Sequence, residues 1–137
     1  LLYMAARSEN IDIIKKSFKK KIILIDRFTD STIAYQHYGM GVNLNLIETL
    51  NKTLLRNINV SFTFLNIVNQ KNLQKRLKQR KSLNRYDKFQ MSFYNKVQRG
   101  FIKLSKKQKN KYQLVNSNLE IDKNEKLILS KINKLIK

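Results

Sequence analysis

The stretch that decides the fold is Lys21-Ile22-Ile23-Leu24-Ile25-Asp26-Arg27-Phe28-Thr29-Asp30-Ser31-Thr32-Ile33-Ala34-Tyr35-Gln36. Its unbroken apolar run, 22–25, is rich in β-branched residues and predicts a strand buried on both faces, as in a parallel sheet covered by helices. Ligands of such sheets bind beyond the carboxyl ends of the strands, where this chain has Asp26 and Arg27. A planar guanidinium there suits a phosphate. Hydroxyl and amide groups that could read the edge of a base follow at Ser31, Thr32, Tyr35 and Gln36.

From Asp26 onward the string resembles the signature of thymidylate kinases, Asp-Arg-Tyr/Phe-x-Asp-Ser-Ser/Thr-x-Ala-Tyr-Gln-Gly followed by Tyr-Gly-Arg-Gly. This sequence departs from that signature at His37, where the family usually has Gly, and at Met40, where it usually has Arg. The resemblance implies a three-layer α/β fold with a parallel sheet, that of the P-loop nucleoside monophosphate kinases. It also implies phosphoryl transfer from ATP to dTMP, giving dTDP, with Mg²⁺ between the phosphates, in a cytoplasmic homodimer.

The resemblance also assigns roles to individual residues. The aromatic and arginine of Tyr3-Met4-Ala5-Ala6-Arg7 match a family segment, so that Tyr3 would stack on thymine and Arg7, with Arg27, would hold the acceptor phosphate. Asp26 would align the acceptor or belong to the Mg²⁺ shell. A lid is expected at about 76–87, with two arginines acting on the transferring phosphoryl group. The remaining assignments are Arg80 and Arg85 for that group, and Ser31, Thr32, Tyr35 and Gln36 for the nucleoside.

No Gly-x-x-x-x-Gly-Lys-Ser/Thr stretch occurs in the 137 residues, although this loop cradles the phosphates of ATP in P-loop kinases. The resemblance covers the whole chain but only about the last two-thirds of a family member. We therefore expect a single-domain fragment, 1–137, whose first strand and phosphate loop lie upstream. On that expectation the 137 residues alone are inactive as a kinase.

The net charge of +20 is the main evidence for another class of protein, a basic nucleic-acid-binding or ribosomal-type protein. Most of the charge is lysine spread along the chain, which favours solvated helix faces, and we expect no specific nucleic-acid partner. A kinase for another nucleoside monophosphate is the narrower alternative. The absence of cysteine excludes disulfides and thiolate metal sites, and a single histidine excludes a His-based metal cluster. We expect no membrane association, because the apolar start of the chain is too short for a span.

Apolar spacing predicts the remaining elements. Residues spaced three or four apart predict helices, and runs rich in β-branched and aromatic residues predict strands. We expect the two glycines at 39 and 41 to mark a turn, and Asp122 to cap the last helix. The predicted helices are 1–19, 43–56, 69–81, 88–107 and the segment after 122, and the further strands are 60–68 and 112–116.

Overall fold

The computed structural model describes residues 2–56, 58–80 and 90–136. Helices predominate, and a small sheet lies among them. In chain order the elements are α1 (Leu2–Ser17), α2 (Thr29–Thr32), a π-helix (Ile33–Gly39), α3 (Leu44–Leu55), β1 (Thr63–Ile67), α4 (Gln70–Lys78), α5 (Met91–Lys107), a 3₁₀ turn (Lys109–Lys111), β2 (Tyr112–Asn116) and α6 (Ile121–Ile136).

The two strands pair in parallel, with Thr63 opposite Tyr112 and Ile67 opposite Asn116. Parallel neighbours need a long crossover, and here the crossover contains α4 and α5. Leu65 of β1 and Val115 of β2 are both buried. They lie on opposite faces of the sheet, because Leu65 is opposite Leu114 and Val115 is opposite Asn66. The predicted α/β class with a parallel sheet is therefore confirmed.

The helix starts follow capping chemistry. Asn43 caps α3 by accepting a hydrogen bond from the Leu46 backbone N–H at 3.1 Å, and Asn69 caps α4 in the same way through the Asn72 backbone N–H. Asp122 was predicted as a cap, but it lies inside the first turn of α6, where its carboxylate still favours the helix dipole. Within the described ranges, no helix has the length and apolar character needed to cross a membrane.

Three apolar clusters hold the helices together. One joins α1, the π-helix and α3 through Met4, Ile33 and Ile47. A second is formed by isoleucines at 11, 14 and 58, and the third packs Ala34 against Phe93 and Val97 of α5. The π-helix therefore lies between α3 and α5, and its position fixes the motif residues that it carries.

The prediction of a buried strand over 21–25 is wrong for this structure. Residues 22–25 form no helix or strand and pair with no strand among the described residues, and Leu24 is 79% exposed. A run of apolar, β-branched residues indicates a preference for burial. A strand also needs a neighbouring strand with which its backbone groups can form hydrogen bonds. The described sheet consists of β1 and β2 alone, so the run has the composition of a strand without its pairing.

Candidate active site

A cavity of about 260 Å³ lies beside the carboxyl half of β1. It brings together two of the predicted arginines, Arg27 and Arg80, with the aromatic ring of Tyr35. Arg27 comes from the loop before α2, Arg80 lies two residues beyond the end of α4, and Tyr35 belongs to the π-helix. The far wall is formed by α5, chiefly through Tyr94, Val97, Gln98 and Phe101. Cationic and aromatic groups around an apolar cavity suit a ligand with an anionic group and a ring.

Arg27 has a φ of 64°, in the left-handed region that residues with a side chain rarely adopt. This left-handed geometry accompanies a bend in the chain between the run 22–25 and α2. The Arg27 guanidinium carbon lies 4.5 Å from the centroid of the Tyr35 ring, a cation–π contact. Strained residues of this kind persist only where the surrounding structure holds them, and they concentrate at functional sites.

Arg7 is buried at the junction of α1, α2 and α3. Its first terminal nitrogen donates to Asn51 Oδ1 at 3.0 Å and contacts the Met4 sulfur at 3.6 Å. The second donates to Thr32 Oγ1 at 2.6 Å and to the Phe28 carbonyl at 3.1 Å. Burial lowers the pKa of Arg7 from its ordinary value, and the nearby Asp30 carboxylate opposes this shift. The guanidinium is thus fixed in orientation by the protein itself.

Tyr112, the first residue of β2, donates its hydroxyl hydrogen to the Asp30 carboxylate. Burial raises the pKa of Tyr112, and the hydrogen bond and negative charge of Asp30 raise it further. The bond joins the start of the second strand to α2, whose Asp30 also acts electrostatically on Arg7. Asp30 is therefore hydrogen-bonded to the sheet through Tyr112 and acts on Arg7 through its charge.

The other predicted site residues are not among those that line the cavity. Tyr3 is 58% exposed on α1, Asp26 is exposed before α2, and Ser31 and Gln36 are half-buried. The structure therefore divides the predicted set between the cavity, which holds Arg27, Tyr35 and Arg80, and a buried pair of Arg7 and Thr32. Arg85 and the lid beyond position 80 lie outside the described residues.

The two departures from the family signature lie at the end of the π-helix. His37 Nδ1 is 2.9 Å from the Val42 carbonyl oxygen, and its ring packs edge-on against Tyr38. Met40 is exposed, and Gly41 at φ of 78° completes the predicted turn. His37 thus contributes to closing the turn.

Two residues of this region were missed by the sequence analysis. Asn51 belongs to the stripe of α3 that also contains Ile47, and a polar residue in an apolar stripe is a usable signal. Gln98 lines the cavity, where its Oε1 accepts a hydrogen bond from the Val68 backbone N–H at 3.3 Å. Nothing in the sequence distinguishes Gln98 from the other polar residues of α5.

Comparison with known proteins identifies the family. The family model described as thymidylate kinase matches residues 1–128. The thymidylate kinase of the Wolbachia endosymbiont of Brugia malayi is 32% identical over 137 residues, covering 98% of this chain and 64% of the relative. That of the Wolbachia of Culex pipiens is 32% identical over 126 residues, covering 90% and 60%.

A solved structure agrees with the sequence relatives. The crystal structure of thymidylate kinase from Ehrlichia chaffeensis superposes with a TM-score of 0.71 at 31% identity, covering 98% of this chain and 64% of that one. The chain thus spans about three-fifths of the length of the relatives that it matches. Since the family model covers most of the 137 residues, and the fold and motif agree with it, the chain belongs to the thymidylate kinase family.

Proposed function

We propose that the protein transfers a phosphoryl group from ATP to dTMP, giving dTDP. The observation that carries this proposal is the cavity, which gathers Arg27, Arg80 and Tyr35 beside the carboxyl half of β1 in a chain of this family. Two guanidinium groups at one cavity attract a phosphate-bearing ligand and spread its charge over several donors. Catalysis of phosphoryl transfer consists mostly of such positioning and electrostatic stabilisation.

The placement of each residue supports an individual role in this proposal. Arg27, held over the Tyr35 ring, is preorganised to bind the acceptor phosphate, while the ring lies where it can contact the nucleoside. Arg80, at the end of α4, is assigned to the transferring group together with Arg85 of the lid. Arg7 has four contacts on its terminal nitrogens, so it would reach a phosphate only by giving up one of them.

Mg²⁺ is part of this proposal because phosphoryl transfer normally uses it to neutralise charge between the phosphates. Within the described residues there is no group of three or more potential metal ligands. Proteins usually hold Mg²⁺ through one or two carboxylates together with substrate phosphates. Asp26, exposed beside Arg27, would supply a single carboxylate to it.

We also propose a cytoplasmic homodimer that pairs through the α3 region, on the strength of family membership. Leu46 of α3 is 54% exposed, although it belongs to an amphipathic helix, and would be covered in such a pair. Light scattering coupled to size-exclusion chromatography tests this directly. A mass near 16.3 kDa at high protein concentration would contradict the dimer.

Nucleotide binding tests the function on the chain itself. Calorimetric titration with dTMP, dCMP and UMP should show tightest binding for dTMP, and Arg27→Met should weaken it. Random-sequence DNA, titrated over a series of salt concentrations, tests the nucleic-acid alternative, for which binding falls steeply as salt rises. A steep salt dependence for DNA with no preference for dTMP would overturn the kinase proposal.

Transfer is tested by joining this chain to the part of the Ehrlichia chaffeensis thymidylate kinase that it does not cover. The fusion should convert dTMP to dTDP in the presence of ATP and Mg²⁺, whereas the 137 residues alone should not. A matched fusion carrying Arg27→Met keeps the joined segment and removes one site residue. Transfer that is equally fast with and without Arg27 would contradict the assigned role.

A further inference from the structure

Helix α4 presents two adjacent faces with different surroundings. Leu73, Leu77 and, just beyond the helix, Arg80 are spaced four and three residues apart, and all three line the cavity. The structure describes all nine residues of α4, and none of them is buried. Since its two leucines border a cavity and are only half-buried, packing alone gives α4 little hold on the rest of the fold.

The second face of α4 is tied by hydrogen bonds to the loop between β2 and α6. Asn118 Oδ1 accepts from the Asn69 backbone N–H and from Asn72 Nδ2, each at 3.0 Å. One turn further along α4, a terminal nitrogen of Arg76 donates to the Ser117 carbonyl oxygen at 2.6 Å. Asn69, Asn72 and Arg76 follow one another at three and four residues, so these bonds form a row along one side of the helix.

Asn118 is oriented for this contact by its own loop. Its backbone N–H and its Nδ2 donate to Asn116 Oδ1 at 3.0 and 2.7 Å. An amide side chain has a donor end and an acceptor end, so the bond from Nδ2 turns Oδ1 toward α4. Asn116 is the last residue of β2 and lies opposite Ile67 of β1. Asn118 therefore connects the start of α4 to the sheet.

The position of Arg80 depends on this connection, because backbone hydrogen bonds continue from α4 to the arginine. The Gln79 N–H donates to the Lys75 carbonyl oxygen at 3.2 Å. The Arg80 N–H donates to the Leu77 carbonyl oxygen at 3.3 Å. A shift of α4 is therefore carried to Arg80 and to the side of the cavity that it lines.

We infer that Asn118 is a positioning residue for phosphoryl transfer: it holds the start of α4 against the loop after β2 and thereby keeps Arg80 at the cavity. The inference rests on the proposed function, because it takes Arg80 as a contact of the transferring group. Asn118 is not among the described residues that line the cavity, so it acts through α4. Its loss should slow transfer more than it weakens dTMP binding, because Arg27 and Tyr35 lie outside α4.

Amide hydrogen exchange of the 137-residue chain tests the hold on α4 without a nucleotide. Asn118→Ala removes both bonds from Asn118 to α4, and Asn118→Asp keeps an oxygen that can accept them. Asn124→Ala is the matched control, because Asn124 Nδ2 donates to the Asn116 carbonyl oxygen rather than to α4. We expect the amides of α4 to exchange about tenfold faster in Asn118→Ala than in the native chain, and at nearly native rates in the other two variants.

Amides of α5 should exchange at native rates in all three variants, which separates a local opening of α4 from a loss of global stability. Native exchange of α4 in Asn118→Ala overturns the inference. Exchange in Asn118→Asp that is as fast as in Asn118→Ala also overturns it, because the acceptor oxygen would then not be what holds the helix.

Steady-state kinetics of the fusion test the consequence for catalysis. Asn118→Ala should lower kcat about tenfold and change KM for dTMP by no more than about twofold, as expected when a contact of the transferring group is displaced. Asn118→Asp should restore most of kcat, and Asn124→Ala should leave both constants unchanged. An unchanged kcat, or a loss confined to KM, overturns the assigned role. If the native fusion transfers no phosphoryl group, the proposed function fails, and the exchange comparison still decides whether Asn118 holds α4.

Discussion

Gly100 of α5 lies at a close contact between that helix and Tyr38 of the π-helix, so we predict that Gly100→Ala disturbs both stability and the site. A β-carbon built at position 100 would lie 2.5 Å from Tyr38 Cδ2, 2.6 Å from Cγ and 2.8 Å from Cβ. Ordinary van der Waals contact begins at 3.4 Å, so the two helices would have to separate by roughly 1 Å. Rotation of the Tyr38 ring relieves only two of the three contacts, because its Cβ is fixed to the backbone.

The magnitude follows from two opposing effects. Overpacking of this kind costs about 1–3 kcal/mol, and the backbone-proximal contact with Tyr38 Cβ favours the upper end. Alanine regains about 1 kcal/mol through its better helix propensity. We therefore expect Gly100→Ala to lower the free energy of unfolding by about 2 kcal/mol. It should also weaken dTMP binding, because the π-helix that moves carries Tyr35.

Urea denaturation measures the stability change, and calorimetry measures the affinity. Ser92→Ala, on the exposed side of the same helix, is the matched control and should change neither quantity appreciably. Tyr38→Ala removes two of the three clashing atoms, so in the double variant the cost of Gly100→Ala should shrink by about 1 kcal/mol or more. A Gly100→Ala protein that is as stable as the native chain and binds dTMP equally well would refute this account of the packing.

Three further predictions concern other parts of the site. Both Arg27→Gly and Arg27→Ala should lose dTMP affinity, but the glycine variant should be about 1 kcal/mol more stable in urea denaturation, because only alanine retains the left-handed strain at φ of 64°. Tyr112 has a raised pKa in the folded chain, so stability should fall as the pH rises above the ordinary tyrosine value of 10.0, where only the unfolded form ionises. Urea titrations at a series of alkaline pH values should show that the free energy of unfolding falls less steeply with pH in Tyr112→Phe than in the native chain. An identical fall in the two proteins would contradict the hydrogen bond to Asp30. In an active fusion, Arg85→Ala should lower kcat by about 10³-fold or more, with little change in KM for dTMP. A change confined to KM would contradict the lid assignment.

Elements that depend on local pattern could be predicted from the sequence. The second strand has the predicted bounds, 112–116, and α5 lies within the predicted 88–107. The run 22–25 was predicted wrongly although its composition is the most strand-like of all, because pairing is a property of two segments. The π-helix was not predicted either, since its hydrogen-bond spacing leaves no distinctive apolar period in seven residues.

The sequence predicted individual residues of the site, but not the contacts between residues that are distant in the chain. The order of the motif identified Arg27 and Tyr35, and the structure joins them at the cavity. Tyr3 and Arg7 were both assigned to the nucleotide by the resemblance, and the structure leaves Tyr3 58% exposed while it buries Arg7 at the junction of α1, α2 and α3. The partner that fixes Arg7 is 44 residues away, and no local rule connects it to Asn51.

The high positive charge and the candidate site make separable contributions to binding. Lysines such as Lys123 on α6 are 66% exposed, so their attraction for anions is screened by salt and is not selective in shape. The arginines of the site differ in being held: Arg7 by four contacts, and Arg27 by its stacking on Tyr35. A planar guanidinium that is held in one orientation can bind a phosphate through directed hydrogen bonds, in addition to the charge attraction that salt screens. Affinity for dTMP should therefore depend far less on ionic strength than affinity for DNA, and that difference separates a site from a charged surface.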